Sequence, residues 1–81
     1  MSLDEDIEKL NVKVEKVARK IAHHYNTGYV GIMTEYIELA ETVRIGYFVT
    51  YKTLPNKEHE LEIGTKCLDV MIKKYQGDGT K

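Results

Sequence analysis

The 81-residue sequence contains few of the residues that cross-link or interrupt a chain: one cysteine, one proline and no tryptophan. Its single cysteine, Cys67, cannot form an intrachain disulfide, so the fold has to be stabilised by packing. The longest segment without Asp, Glu, Lys or Arg, residues 21–34, contains two histidines and is too short and too polar to span a bilayer. These absences exclude a disulfide-rich secreted domain and a membrane-inserted protein.

The sequence also lacks an excess of either charge, because it contains twelve basic and thirteen acidic residues and has a net charge of −1. This balance argues against a protein that binds nucleic acid by general neutralisation of phosphates. Residues 1–6 are acidic and do not follow the basic-then-apolar order of a secretory signal. We therefore expect a cytoplasmic protein.

Hydrophobic residues make up 42% of the chain and charged residues 31%, which is the balance of a globular domain. A chain of this length removes only about 60–65% of its unfolded surface from water. Domains this small often gain stability by associating with a second copy, so we expect a homodimer.

The first 25 residues carry apolar side chains at a spacing of 4, 3, 4, 3, 4, which only a helix places on one face. Acidic residues precede basic ones along this segment, as the helix dipole favours. The sequence therefore predicts a helix that ends near Gly28, with this apolar seam: Leu3, Ile7, Leu10, Val14, Val17 and Ile21.

Residues 29–54 are rich in Val, Ile, Thr, Tyr and Phe, which favour β-structure. Residues 42–53 alternate, with five side chains on one predicted face: Val43, Ile45, Tyr47, Val49 and Tyr51. This pattern predicts one strand, and residues 29–39 are its expected neighbour. Residues 29–41 also fit a helical spacing, so a mostly α-helical fold remains the alternative.

Asn56 is a suitable N-cap for a final helix. Glutamates lie near the start of this helix and lysines near its end, as the helix dipole favours. The expected fold is α+β: helix, strand, strand, helix, with both helices on one face of an antiparallel hairpin. We predict a single domain over residues 1–76 and a flexible tail over 77–81. Two strands form a marginal sheet, so dimerisation is expected to complete it.

Two sets of residues are candidate interaction surfaces. Phe48 lies on the polar face of the predicted strand between Arg44 and Lys52, and an aromatic flanked by arginine is typical of interface anchors. The apolar seam of the first helix could pair with a second copy through its β-branched positions, although packing against the core of its own chain is the favoured interpretation. Those positions are Ile7, Val14 and Ile21.

A row of basic side chains also follows the first helix and could track a phosphate backbone, although most such rows are solvated surfaces. It consists of Lys9, Lys13, Lys16 and Lys20. This row supports an alternative function, a dimeric nucleic-acid-binding protein.

The histidines and Cys67 lack the spacing of metal ligands, and no residues form a recognisable catalytic motif. We therefore predict no catalytic residues, no metal and no cofactor. The favoured function is a small non-catalytic protein-protein interaction or regulatory module that acts as a homodimer.

Overall fold

A computed structural model of the chain describes residues 2–79. Three helices account for most of them: α1 (Leu3–His24), α2 (Tyr29–Tyr51) and α3 (Lys57–Gly79). No β-strand occurs within residues 2–79. The α+β prediction is therefore wrong for this part of the chain, which is an all-α, three-helix bundle.

The first helix is stabilised by local interactions at both ends. Ser2 caps it, because the Ser2 hydroxyl accepts a hydrogen bond from the backbone N–H of Glu5 at 3.2 Å. The helix ends at His24, and Asn26 then adopts a left-handed conformation with φ of 52°. The apolar spacing and acidic first turn thus produce the helix that they predict.

The second helix occupies the segment for which the sequence predicted a hairpin. Residues 29–41 are helical, as in the alternative that the sequence left open, but the helix continues through Tyr51 across the predicted strand. A helix satisfies its backbone hydrogen bonds internally, whereas a strand needs a partner. The threonines also add internal bonds: the hydroxyls of Thr34, Thr42 and Thr50 donate to the carbonyl four residues earlier.

The last helix begins after Asn56, whose side-chain oxygen accepts a hydrogen bond from the backbone N–H of His59 at 2.9 Å. It continues to Gly79, past the predicted domain boundary at residue 76. The rest of the predicted tail, residues 80 and 81, lies outside the described residues.

The three helices run up, down and up. Lys57 at the start of α3 forms an ion pair of 2.7 Å with Asp4 at the start of α1, so these two helices begin at the same end. At the opposite end, the Tyr25 hydroxyl donates to the backbone carbonyl of Tyr75. The predicted arrangement of two helices on one face of a dimer-completed hairpin is therefore wrong, because α1 and α3 pack against each other and against α2.

The core consists of two clusters of buried side chains, in which alanines alternate with larger aliphatic residues. The larger cluster joins all three helices and contains Val14, Ala18, Ala22, Ile32, Leu68 and Met71. The smaller one joins α2 and α3 and contains Ala40, Ile63 and Cys67. Gly64 on α3 lies close to side chains of both other helices, since an added Cβ there would be 2.6 Å from Leu10 Cδ2 and 2.9 Å from the Tyr36 hydroxyl.

Candidate interaction surface

The most prominent apolar surface lies at the C-terminal end of α2. Lys52 adopts a left-handed conformation with φ of 62°, and its backbone N–H donates to the carbonyl of Phe48 at 2.7 Å. The chain turns here and brings Leu54 back beside α2, where a groove of about 300 Å³ is lined by four residues: Arg44, Ile45, Phe48 and Leu54. Phe48 is 49% exposed, Ile45 64% and Leu54 71%.

This groove is the end of a longer row of outward-facing positions on α2, which we call the outer stripe. Its members are spaced 4, 3, 4, 4, 3, so they lie on one helical face, opposite the buried Ile32. All six are exposed: Val30, Thr34, Ile37, Glu41, Ile45 and Phe48. Four of them are large apolar residues, so α2 is apolar on both its inner and its outer side.

Arg44 forms one edge of the groove and is fixed to α3. Its Nε donates to both carboxylate oxygens of Glu60, at 2.8 and 2.9 Å. This hydrogen bond raises the pKa of Arg44, although partial burial opposes it. Both side chains are partly buried. The predicted interface residue Arg44 is therefore available as a wall of the groove, with its charge already paired.

The other predicted interface residues have different surroundings. Val14 is 1% exposed and lies in the larger core cluster, against which Ile21 packs, so these two seam positions face the interior of the chain. Ile7 is half-buried. Lys52, in contrast, is exposed at the end of α2 beside the outer stripe. The structure brings Phe48, Arg44 and Lys52 to one end of α2 and separates them from the seam.

The predicted lysine row lies on the exposed side of α1. All four of its members are exposed: Lys9, Lys13, Lys16 and Lys20. None of them lines the groove beside Phe48. The basic row and the outer stripe are therefore separate surfaces on different helices.

A second groove separates α2 from α3 on another side of the bundle. At one end the Tyr47 ring lies 4.6 Å from the Tyr51 ring and 5.4 Å from the His59 ring, measured between centroids. These rings contact one another and line a space of about 350 Å³. Its rims carry ion pairs within the chain, such as Lys66 with Glu62 at 3.3 Å.

Two titratable groups between α2 and α3, the Cys67 thiol and the Tyr36 hydroxyl, are stabilised in their neutral forms. Burial raises the pKa of Cys67 and that of Tyr36, whose hydroxyl donates to the backbone carbonyl of Gly64 at 3.3 Å. A protonated, buried thiol is a poor nucleophile. Among residues 2–79, no three His, Cys, Asp or Glu side chains cluster as a metal site would require.

Sequence reasoning missed Ile45, Leu54 and the apolar members of the outer stripe nearer the start of α2. The predicted strand placed Ile45 on the buried face, although the helix exposes it. The spacing from Val30 to Phe48 was visible in the sequence, and a helical interpretation of residues 29–51 would have predicted the stripe.

Within the part of the chain that the structure describes, no helix has the length and apolar character needed to cross a membrane. Comparisons with protein-family models, with curated proteins and with solved structures found no match. The surfaces of the bundle are therefore the basis for proposing its function.

Proposed function

We propose that this protein is a small non-catalytic interaction module that acts as a homodimer, with the outer stripe of α2 as its self-association surface. One observation carries the proposal: α2 is apolar on two sides, and the rest of the chain covers only one of them. A helix that is hydrophobic all round is normally buried all round. A second copy would cover the exposed side.

The surface area of the chain supports this proposal. Its accessible surface is 5966 Å². A compact monomer of this mass exposes about 5,000 Å², so the excess is roughly 950 Å². A typical stable interface buries about 800 Å² on each partner. The excess reflects the elongated shape, 40 × 29 × 21 Å, together with exposed apolar side chains on α2.

The chemistry of the groove supports binding rather than catalysis. Three of its four lining residues are the apolar Ile45, Phe48 and Leu54. The fourth, Arg44, already makes a charge-assisted hydrogen bond within the chain. Apolar residues around a central aromatic, with arginine at the edge, are typical of protein interfaces. We also place this module in the cytoplasm, because its one cysteine is a free thiol.

The test is the molecular mass in solution of the wild type, Phe48→Asp and Val12→Asp, measured by light scattering over a dilution series. Val12 is a matched control, since it is 46% exposed but lies on α1, beside Glu8 and Lys9. We expect a dimeric wild type, and Phe48→Asp should weaken it about a hundredfold or more because two buried phenylalanines are lost per dimer. Val12→Asp should remain dimeric.

A wild type that stays monomeric at the highest attainable concentration would refute the proposed homodimer. Dissociation caused by Val12→Asp, but not by Phe48→Asp, would place the interface on α1 instead of α2. Circular dichroism of each variant shows whether the three helices are retained.

The alternative function, a dimeric nucleic-acid-binding protein, is favoured by one observation, the exposure of the whole lysine row on α1. A titration with DNA and with RNA at about 50 mM and about 200 mM salt tests it, because phosphate contacts weaken steeply over this range. Binding at the lower salt concentration that Lys13→Glu and Lys16→Glu abolish would support it. We expect no binding at either concentration.

A further inference from the structure

Charge is distributed unevenly along the outer side of α2. Glu38 and Glu41 lie in the middle of the helix, and Lys52 lies at its C-terminal end, and all three side chains are exposed. The ion pairs found among the described residues involve neither Glu38 nor Lys52. These two charges are therefore available to a partner that covers the outer stripe.

The direction in which a second α2 covers the stripe decides which charges meet. In a parallel pair each residue lies opposite its own copy, so Glu38, Glu41 and Lys52 would each face a like charge. Like charges across an interface oppose association. In an antiparallel pair, the acidic middle of one helix faces the basic end of the other.

The spacing along the helix selects one antiparallel register. Glu38 lies seven residues before Ile45 and Lys52 lies seven after it, so each is about 10 Å from Ile45 along the helix axis. A two-fold axis through Ile45 therefore places these opposite charges at the same level. It also places the exposed Leu54, which lines the groove with Ile45 and Phe48, close to the axis and therefore near the second copy.

We propose that two copies pair through antiparallel α2 helices about a two-fold axis at Ile45, with Lys52 of each copy bound to Glu38 of the other. This inference rests on the proposed homodimer and specifies its partner segment and register. The interface is isologous, so each contact occurs twice. The apolar core of the pair is Ile45, Phe48 and Leu54, and the two ion pairs lie at its ends.

A charge exchange tests this register. The dimer dissociation constant is measured by analytical ultracentrifugation for the wild type, Lys52→Glu, Glu38→Lys and the double variant. Each single variant places two like-charge pairs in the interface and should weaken the dimer about tenfold at low salt. The double variant recreates both ion pairs in reverse and should restore the dissociation constant to within about threefold of the wild type.

Lys66→Glu is the matched control, because Lys66 is an exposed lysine on α3 that pairs with Glu62 away from the outer stripe. It should leave the dissociation constant unchanged. The thermal midpoint of each variant, measured at the lowest concentration, separates a loss of pairing from a loss of folding.

The outcomes distinguish the register from the proposed function. A dimeric wild type whose dissociation constant is unmoved by either single variant refutes the antiparallel register and leaves the homodimer standing. Failure of the double variant to recover, with its helices intact, also refutes the register. A wild type that is monomeric at every concentration refutes both proposals.

Discussion

Helices α1 and α2 differ by one residue in length, but the bundle covers the apolar side of α1 and leaves much of the apolar surface of α2 exposed. In α1 the apolar side chains concentrate on the side that packs against α2 and α3, and the opposite side is charged. In α2, two residues are buried, while large apolar side chains remain exposed along most of its length. An amphipathic helix needs one apolar neighbour, whereas α2 has apolar surface for two.

The helix ends show the same contrast. Side chains cap α1 and α3, through Ser2 and Asn56, whereas Gly28 at the start of α2 provides no side-chain hydrogen bond. The first turn of α2 also contains no acidic residue. Helix α2 therefore depends more than the others on packing, because local interactions contribute less to it.

The largest expected difference in the free energy of unfolding is between replacing a buried leucine and replacing an exposed one. Leu68 is 3% exposed in the larger core cluster, so Leu68→Ala should lower the free energy of unfolding by about 2–5 kcal/mol. Leu54→Ala should change it by less than about 0.5 kcal/mol at concentrations that favour the monomer, but should weaken dimerisation. Urea denaturation and a dilution series measure the two effects. Equal losses of monomer stability would erase the distinction between core and outer surface.

Two glycines test whether the exposed side of α2 and the contact of α3 with the other helices are packed differently. At Gly46 on α2 an added Cβ meets nothing within 4 Å, so Gly46→Ala should stabilise the helix by about 0.5–1 kcal/mol. Gly64→Ala forces Leu10 and Tyr36 to move, and this overpacking should outweigh the gain in helix propensity, for a net loss of about 1–2 kcal/mol. Chemical denaturation gives both values. If both variants are stabilising, the contact at Gly64 is looser than the distances indicate.

The contact between α2 and α3 should also make stability depend on alkaline pH. Burial raises the pKa of Cys67 above its ordinary value of 9.0 and that of Tyr36 above 10.0, so the unfolded chain loses these protons first. The stabilisation is fully present below the ordinary pKa values and is lost as the pH rises through the raised ones. The urea midpoint should therefore fall between about pH 8 and about pH 10.5.

The double variant Cys67→Ala, Tyr36→Phe is the comparison for this pH effect. Its urea midpoint should fall less over the same interval, because neither titrating group remains. The Lys and Tyr side chains that both proteins share contribute equally and cancel. An identical fall in the two proteins would show that these groups titrate alike in the folded and unfolded chains.

The sequence was sufficient to predict α1 and the start of α3, because local features decide both. The seam from Leu3 to Ile21 fits only the helical period. Ser2 and Asn56 each cap a helix by accepting a hydrogen bond from a backbone N–H three residues later. These features need no information about the rest of the chain. Their predicted and observed starts therefore agree closely.

The hairpin prediction failed because residues four positions apart share a face both in a strand, where side chains alternate, and in a helix, where the period is about 3.6 residues. Val43, Tyr47 and Tyr51 share one face of a strand and one side of a helix, where they line the groove with α3. Only Ile45 and Val49 distinguish the two structures, because the helix turns them outward, where they are exposed. The outer stripe was hidden by the same ambiguity, although Phe48 was already singled out as a contact residue.

The smallest expected effect is at the start of α2. Gly28 has φ of −76° and ψ of 132°, a conformation suited to any N-cap residue, and an added Cβ there meets nothing within 4 Å. Gly28→Asp would supply the missing side-chain acceptor and a negative charge near the positive end of the helix dipole. Thermal unfolding should show a gain of about 0.5 kcal/mol, while Gly28→Ala, which adds no acceptor, should show none. If Gly28→Asp gives no gain, local capping is not what distinguishes α2 from its neighbours, and its exposed apolar side alone sets it apart.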